Sequence, residues 1–255
     1  MKPRDTIASA IIEASALGRP ALVGFITAGF PDRRRFRENL AAVIDGCDVV
    51  EIGVPFSDPM ADGATVQRAS FAALADGVTL PWILQEVAAV PRPRPVPVLL
   101  MSYLNPLLKY GFERLPRDAA AAGVAGFIVP DLPYEESAEL KSALDQEGLA
   151  LVQMVTPVTP PERLEMLCKG AQGFVYAVTM TGTTGKSAEV PPDVLAYMDR
   201  VRRFSSVPVC AGFGIRSREQ VARFAPHVDG VVVGSALIET LEQGGDVRAF
   251  LGSLR

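Results

Sequence analysis

Eight short apolar runs punctuate this chain, at 21–26, 48–52, 96–101, 124–129, 149–155, 173–178, 207–211 and 229–233, and they restrict its fold more than any other feature. Each is rich in Val, Ile or Leu and is apolar throughout instead of alternately. A strand reads that way when both of its faces are covered, as in a parallel sheet. Between the runs lie segments of helical period, at 33–44, 113–122, 135–146, 161–167, 192–204, 218–224 and 246–254. Several open with Asp, Ser or Thr near a proline and stop near a glycine, as helix starts and ends do. Eight strands, each followed by a helix, with no composition break across 255 residues, predict one α/β domain spanning 1–255. The expected architecture is a closed (β/α)8 TIM barrel, since an open doubly wound sheet would show about five or six strands. The period over 7–17 adds an extra N-terminal helix.

The spacing of the runs is uneven. Residues 53–80 form an extended connection after the second strand, and 179–191 a second one after the sixth. In such barrels the loops at the C-terminal strand ends carry the chemistry, so the sequence has lengthened its reactive face in two places. The Pro-rich stretch 91–97 immediately precedes the third strand and reads as a stiff connector.

Charge and cysteine usage exclude several function classes. With 29 acidic against 25 basic residues, the chain lacks the positive footprint of a nucleic-acid or anionic-membrane binder. No run approaches the ~20 apolar residues of a membrane span, and the N-terminus does not resemble a secretory signal. One histidine, His227, and three scattered cysteines make no metal-ligand pattern, and free thiols in a reducing cytoplasm are the expectation.

Chemistry-bearing residues cluster at the predicted C-terminal face. Glu51 stands inside the apolar strand Val49-Val50-Glu51-Ile52-Gly53. A carboxylate there either pairs with a cation across the barrel or faces the cavity with a raised pKa, able to exchange protons near neutrality. Asp62, eleven residues on, is either a turn residue before the next helix or a second, ionised carboxylate at the cavity mouth. Gly212-Phe213-Gly214 ends the seventh strand, and Gly234-Ser235 ends the eighth before a short helix. Loops after strands seven and eight form the recurrent phosphate site of these barrels, where glycine admits main-chain N–H groups to the anion. Gly185-Lys186-Ser187 mimics a nucleotide-binding P-loop, but Met180 stands where that motif needs its first glycine. The loop 179–187 reads instead as a lid.

Taken together, these stretches resemble a known family. Glu51-Ile52-Gly53-Val54-Pro55-Phe56-Ser57-Asp58-Pro59-Met60-Ala61-Asp62-Gly63 is similar to the signature segment of tryptophan synthase alpha subunits. Phe25-Ile26-Thr27-Ala28-Gly29, Leu100-Met101-Ser102-Tyr103-Leu104-Asn105-Pro106, Pro130-Asp131-Leu132-Pro133, Gly212-Phe213-Gly214-Ile215 and Gly234-Ser235-Ala236 agree in register. The resemblance implies a cofactor-free, metal-free lyase that cleaves indole-3-glycerol phosphate by a retro-aldol step to indole and glyceraldehyde 3-phosphate. It implies proton transfer by Glu51 and an indole N–H contact by Asp62. Phe25, Tyr103 and Tyr176 would line the indole pocket, with Phe213 beside them. Asp131 would lie near loops that communicate with a partner, and Thr184 would close over Asp62. Gly185, Gly214, Gly234 and Ser235 would hold the phosphate. The implied partner is a pyridoxal-phosphate-dependent beta subunit, in a tetramer of two alpha and two beta chains, facing 56–60 and 103–106. The alternative on the same residues is a stand-alone lyase of secondary metabolism. The lid departs from the family pattern, with Thr179 where Ser is usual and Thr183 where Val is usual.

Overall fold

The computed structural model describes residues 1–91, 96–179, 191–212 and 214–255. A first helix, α1 (Pro3–Ala16), precedes β1 (Ala21–Thr27), and α2 (Phe36–Gly46) leads to β2 (Val49–Gly53). Two helices, α3 (Ala64–Ala75) and α4 (Leu80–Ala88), span the long connection to β3 (Val98–Met101). Then follow α5 (Leu104–Tyr110), α6 (Leu115–Ala122), β4 (Val124–Ile128), α7 (Ala138–Gln146), β5 (Ala150–Val155), α8 (Pro161–Lys169) and β6 (Val175–Val178). The chain ends with α9 (Pro192–Phe204), β7 (Val209–Gly212), α10 (Arg218–Phe224), β8 (Gly230–Val233), α11 (Ser235–Glu242) and α12 (Val247–Ser253). All eight strands are parallel and hydrogen-bonded in sequence order, with β8 returning to β1: the barrel is closed, as the apolar runs predict.

The differences from expectation have local causes. The predicted helix at 33–44 divides into a 3-10 turn, Arg33–Arg35, and α2, because the Asp32 carboxylate accepts from Arg34 N–H at 2.8 Å and caps the turn first. The segment 135–146 likewise begins as a 3-10 turn, with Ser137 Oγ donating to the Tyr134 carbonyl at 2.7 Å, and α7 starts only at Ala138. The connection after β2 is not one long loop. Thr79 caps α4, whose Trp82 packs its ring 5.5 Å from that of Phe36 and lies under the Arg33 guanidinium.

Alternation along the strands separates two apolar layers. Leu22, Ile26, Val50, Ile52, Leu100, Phe127, Val175 and Val231 face the helices, while Val23, Phe25, Val49, Leu99, Ile128, Val152, Tyr176, Cys210 and Val232 fill the barrel. Ile7 and Ile11 of α1 join the inner set, so the added helix closes the N-terminal end. Cys47, Cys168 and Cys210 are free and buried.

At that N-terminal end, aspartates stitch neighbouring strands. Asp48 accepts from Leu22 N–H at 2.8 Å and takes both arms of Arg19 at 2.6 and 2.7 Å, and Asp229 accepts from Val209 N–H at 2.8 Å. Burial pushes the Asp48 carboxyl upward, but the Arg19 and Leu22 hydrogen bonds and the nearby Arg255 outweigh it and hold its pKa below the ordinary value. A depressed carboxylate pKa stabilises the fold above its unfolded value and loses that contribution as pH falls. Asp48→Ala is therefore expected to cost about 2–4 kcal/mol at pH 7 in a urea titration, with a smaller deficit near pH 3. Activity at 25 °C should be unaffected, because the opposite end of the barrel holds the candidate site.

Candidate active site

Glu51 belongs to the inner face of β2. Its register neighbours are Phe25 on β1 and Leu99 on β3, both inner residues, and Tyr176 and Cys210 lie close enough to feel its charge. The residue is 0% exposed, and neither carboxyl oxygen has a hydrogen-bond partner among the described residues. No cation among the described residues offsets its burial, so desolvation raises the pKa to about 8. Of the two sequence readings, the salt-bridged structural carboxylate has no counterpart among the described residues. At neutral pH the group is a proton-bearing acid in an apolar barrel.

Asp62 lies at the end of the loop from β2, just before α3. Tyr103, which follows β3, anchors that loop: its hydroxyl oxygen accepts from Ala61 N–H at 2.8 Å and its proton is shared with the Asp62 carboxylate. Gln67 donates to the Asp62 carbonyl at 2.8 Å. Burial raises the Asp62 pKa to about 6 and the Tyr103 hydroxyl pulls it back down. The aspartate is thus less freely ionised than the sequence suggests, yet charged in most molecules at pH 7. The two acids, near 8 and near 6, hold opposite charge states across the interval between them.

A cavity of about 70 Å³ opens at the C-terminal face and is lined by Phe25, Asp62, Tyr176, Gly214, Gly234 and Ser235, together with Gly63, Val66, Met101 and Val232. A small adjoining cavity reaches Tyr103, Ser102 and Ser70. Glu51 sits one inner layer beneath Gly53, which borders that second cavity. Glycines on the inner face make room for the aromatic walls. A Cβ on Gly53 would stand 2.6 Å from the Phe25 ring, and one on Gly212 would stand 2.3 Å from the ring of Tyr176.

The polar end is built from main chain. Gly214 has φ +77°, a left-handed conformation that suits glycine. Gly234 precedes α11, whose first N–H groups have no side-chain cap, the arrangement by which a helix N-terminus can receive an anion. Among the described residues, no Lys or Arg lines this cavity.

Several expected residues fall elsewhere. Asp131 borders neither cavity: its Oδ1 accepts from Leu104 N–H at 2.9 Å and links the loop after β4 to the start of α5. Thr184, Gly185 and Phe213 lie outside the described residues, as does the lid beyond Thr179, and so do 92–95 of the Pro-rich stretch. His227 bonds Asp199 at 2.8 Å beyond the N-terminal end of β8, away from the site. Val66, Met101 and Val232 are cavity residues that the sequence reading passed over. Met101 and Val232 stand two residues beyond Leu99 and Gly230, so strand alternation was the available signal. Among the described residues there is no group of three or more metal-type side chains, and no helix is long and apolar enough to cross a membrane.

Comparison with known proteins converges on one family. A family model described as tryptophan synthase alpha chain matches residues 11–250. A Solidesulfovibrio magneticus protein named tryptophan synthase alpha chain is 47% identical over 99% of both chains, and one from Geobacter sulfurreducens is 44% identical over 98% of this chain and 97% of its own. Among solved structures, a Mycobacterium tuberculosis tryptophan synthase chain superposes with TM-score 0.88 at 36% identity, covering 98% of this chain and 97% of that one. A chain of the Pyrococcus furiosus tryptophan synthase a2b2 complex does so at TM-score 0.86 and 34% identity, covering 92% of this chain and 98% of that one. A whole-chain match of this depth, on a closed parallel barrel with its acids and main-chain cradle at one mouth, shows that the chain belongs to the tryptophan synthase alpha chain family.

Proposed function

We propose that Glu51 and Asp62 carry out the alpha-chain reaction, retro-aldol cleavage of indole-3-glycerol phosphate to indole and glyceraldehyde 3-phosphate, with residues 1–255 acting as one domain. The observation that carries this reading is the pairing of a buried acid, unpartnered among the described residues, with a second carboxylate beside glycine-lined main chain able to hold an anion. The phosphate occupies the N–H groups of Gly214, Gly234 and Ser235, and the indole ring lies between Phe25 and Tyr176. Glu51 rotates toward the cavity and delivers its proton to indole C3. The ring nitrogen then develops positive charge, which the Asp62 carboxylate stabilises. The glycerol hydroxyl next to the breaking bond gives up its proton to the Glu51 carboxylate, the carbon–carbon bond breaks, and electrons return to the ring. Glu51 ends protonated, ready for another cycle.

The expected pH dependence follows from the two carboxyls. Asp62 must be ionised and Glu51 protonated, so kcat/KM should rise through about pH 6 and fall through about pH 8. A flat profile between 5 and 9, measured by indole release, would rule out this division of roles.

The alpha chain works with a beta subunit in this reading, as an assembly of two of each. Support comes from the solved relative described as an a2b2 complex. It also comes from apolar side chains on the C-terminal face, Met60 and Val158 on loops and Leu108 on α5, which are 81%, 74% and 51% exposed. A groove of about 630 Å³ is lined in part by Phe56, Ser57, Asn105 and Pro106, within the segments assigned to the partner. The stand-alone alternative has no support from relatives that carry the tryptophan synthase name. Free buried thiols suit a cytoplasmic setting. The test is indole formation from indole-3-glycerol phosphate by the full chain, alone and with a beta subunit. Turnover that increases when the partner is added is the expected result, and no indole under either condition would refute it.

A further inference from the structure

Outside the phosphate cradle, a single carboxylate ties together three segments that build the cavity. Glu239 sits on α11, one turn beyond Ser235. Its Oε2 accepts from Arg216 Nη1 at 2.6 Å, while its Oε1 accepts from Arg216 Nη2 at 3.0 Å and from Thr65 Oγ1 at 3.2 Å. Arg216 follows Gly214 by two residues, and Thr65 lies in the first turn of α3, three residues past Asp62. One turn further along both helices, Arg68 Nη2 donates to Glu242 Oε2 at 3.0 Å, a second rung between α3 and α11. None of these five side chains lines the cavity.

We propose that the Arg216–Glu239–Thr65 clasp is a positioning device. It sets the separation between the anion cradle at Gly214, Gly234 and Ser235 and the Asp62 carboxylate, so that a substrate held at both ends presents its scissile bond in register. The inference rests on the function proposed above. A guanidinium–carboxylate fork fixes orientation as well as distance, because two parallel N–H···O bonds lie in one plane. Partly exposed pairs of this kind add little to global stability, so the effect of the clasp is local. Arg216 keeps Glu239 ionised, holding its pKa below the ordinary value. A ligand that spans two half-sites depends on their spacing, whereas a ligand filling only one does not.

That difference supplies the test. In the full chain, kcat/KM for indole-3-glycerol phosphate should fall about tenfold in Glu239→Gln and in Arg216→Gln, since small displacements of a bound substrate are costly to rate. Inhibition constants for inorganic phosphate and for free indole, each filling half of the cavity, should stay within about twofold of wild type. The charge-swapped pair Arg216→Glu/Glu239→Arg should recover most of the lost kcat/KM. Unchanged kcat/KM in both single variants overturns the proposal. So does a phosphate inhibition constant that rises in step with KM, which would make the pair part of the cradle. A swap that restores melting temperature but not kcat/KM also overturns it, leaving only a structural role. If the wild-type chain releases no indole, the functional reading fails and the clasp falls with it; wild-type turnover with normal variants removes the clasp alone.

Discussion

Glu51→Gln should lower indole release by about 10³-fold or more, because the substitution removes the one group placed to move protons at the barrel floor. The fold should survive intact. Glutamine has the shape of the protonated acid that already occupies the site, and neither carboxyl oxygen has a partner to lose among the described residues. Stability should even change in the opposite sense from activity. The folded-state pKa of about 8 lies above the ordinary carboxyl value of 4.5, so the native state keeps a proton that the unfolded chain releases. This contribution is fully present below the unfolded pKa and is lost progressively up to the folded one. Between pH 4.5 and about 8 the wild type should therefore lose ~1.4 kcal/mol per pH unit from this group relative to the glutamine variant. Denaturant titrations of the two proteins at pH 5 and pH 8 measure the difference. Parallel stability curves, or near-normal turnover by the variant, would show that Glu51 is not the buried proton carrier.

A second large effect is expected from Gly212→Val, which removes no acid. A Cβ at this position would stand 2.3 Å from Tyr176 Cε1 and 2.5 Å from both Cζ and the hydroxyl oxygen. The backbone of β7 cannot yield, since it is hydrogen-bonded to β6 and β8 on either side. Tyr176 must then swing away from the wall it forms, into the cavity or out of its rotamer. Overpacking of this kind costs about 1–3 kcal/mol, a fall in Tm of about 2–4 °C per kcal/mol. The loss of a ring wall should reduce kcat/KM by about 10²-fold, most of it beyond what the stability change explains. Trimming the ring in the double variant Gly212→Val/Tyr176→Ala should recover stability but not turnover. Additive stability effects in that cycle would show that the two residues do not touch.

Much of the architecture was legible in advance for a physical reason. Strands covered on both faces must be apolar throughout, and eight such runs alternating with helical segments leave few closed arrangements. The same economy betrays Glu51, because an acid within one of those runs must be either paired or functional. What the pattern could not show is which. That depends on whether a cation reaches it across the barrel, and no spacing along one strand contains that information. The helix starts at Phe36 and Ala138 also eluded the periodicity, because side-chain caps on Arg34 N–H and the Tyr134 carbonyl settle them locally. The hydrogen bond from Leu104 N–H to the Asp131 carboxylate, 27 residues on, was likewise outside what the motif could show, because it depends on two separate loops meeting.

The chain's own order of residues determined the closed parallel barrel, the mouth at which its chemistry collects, and the family to which it belongs, because burial on both faces and glycine-rich strand ends leave marks in local composition. The tertiary structure alone decided that Glu51 is buried without a partner among the described residues and holds its proton more tightly, that Tyr103 restrains the Asp62 loop, that inner glycines admit two aromatic rings, and that one glutamate on α11 binds three distant segments together. Those properties are distances between residues tens to hundreds of positions apart, and only closure of the barrel brings them within reach of one another.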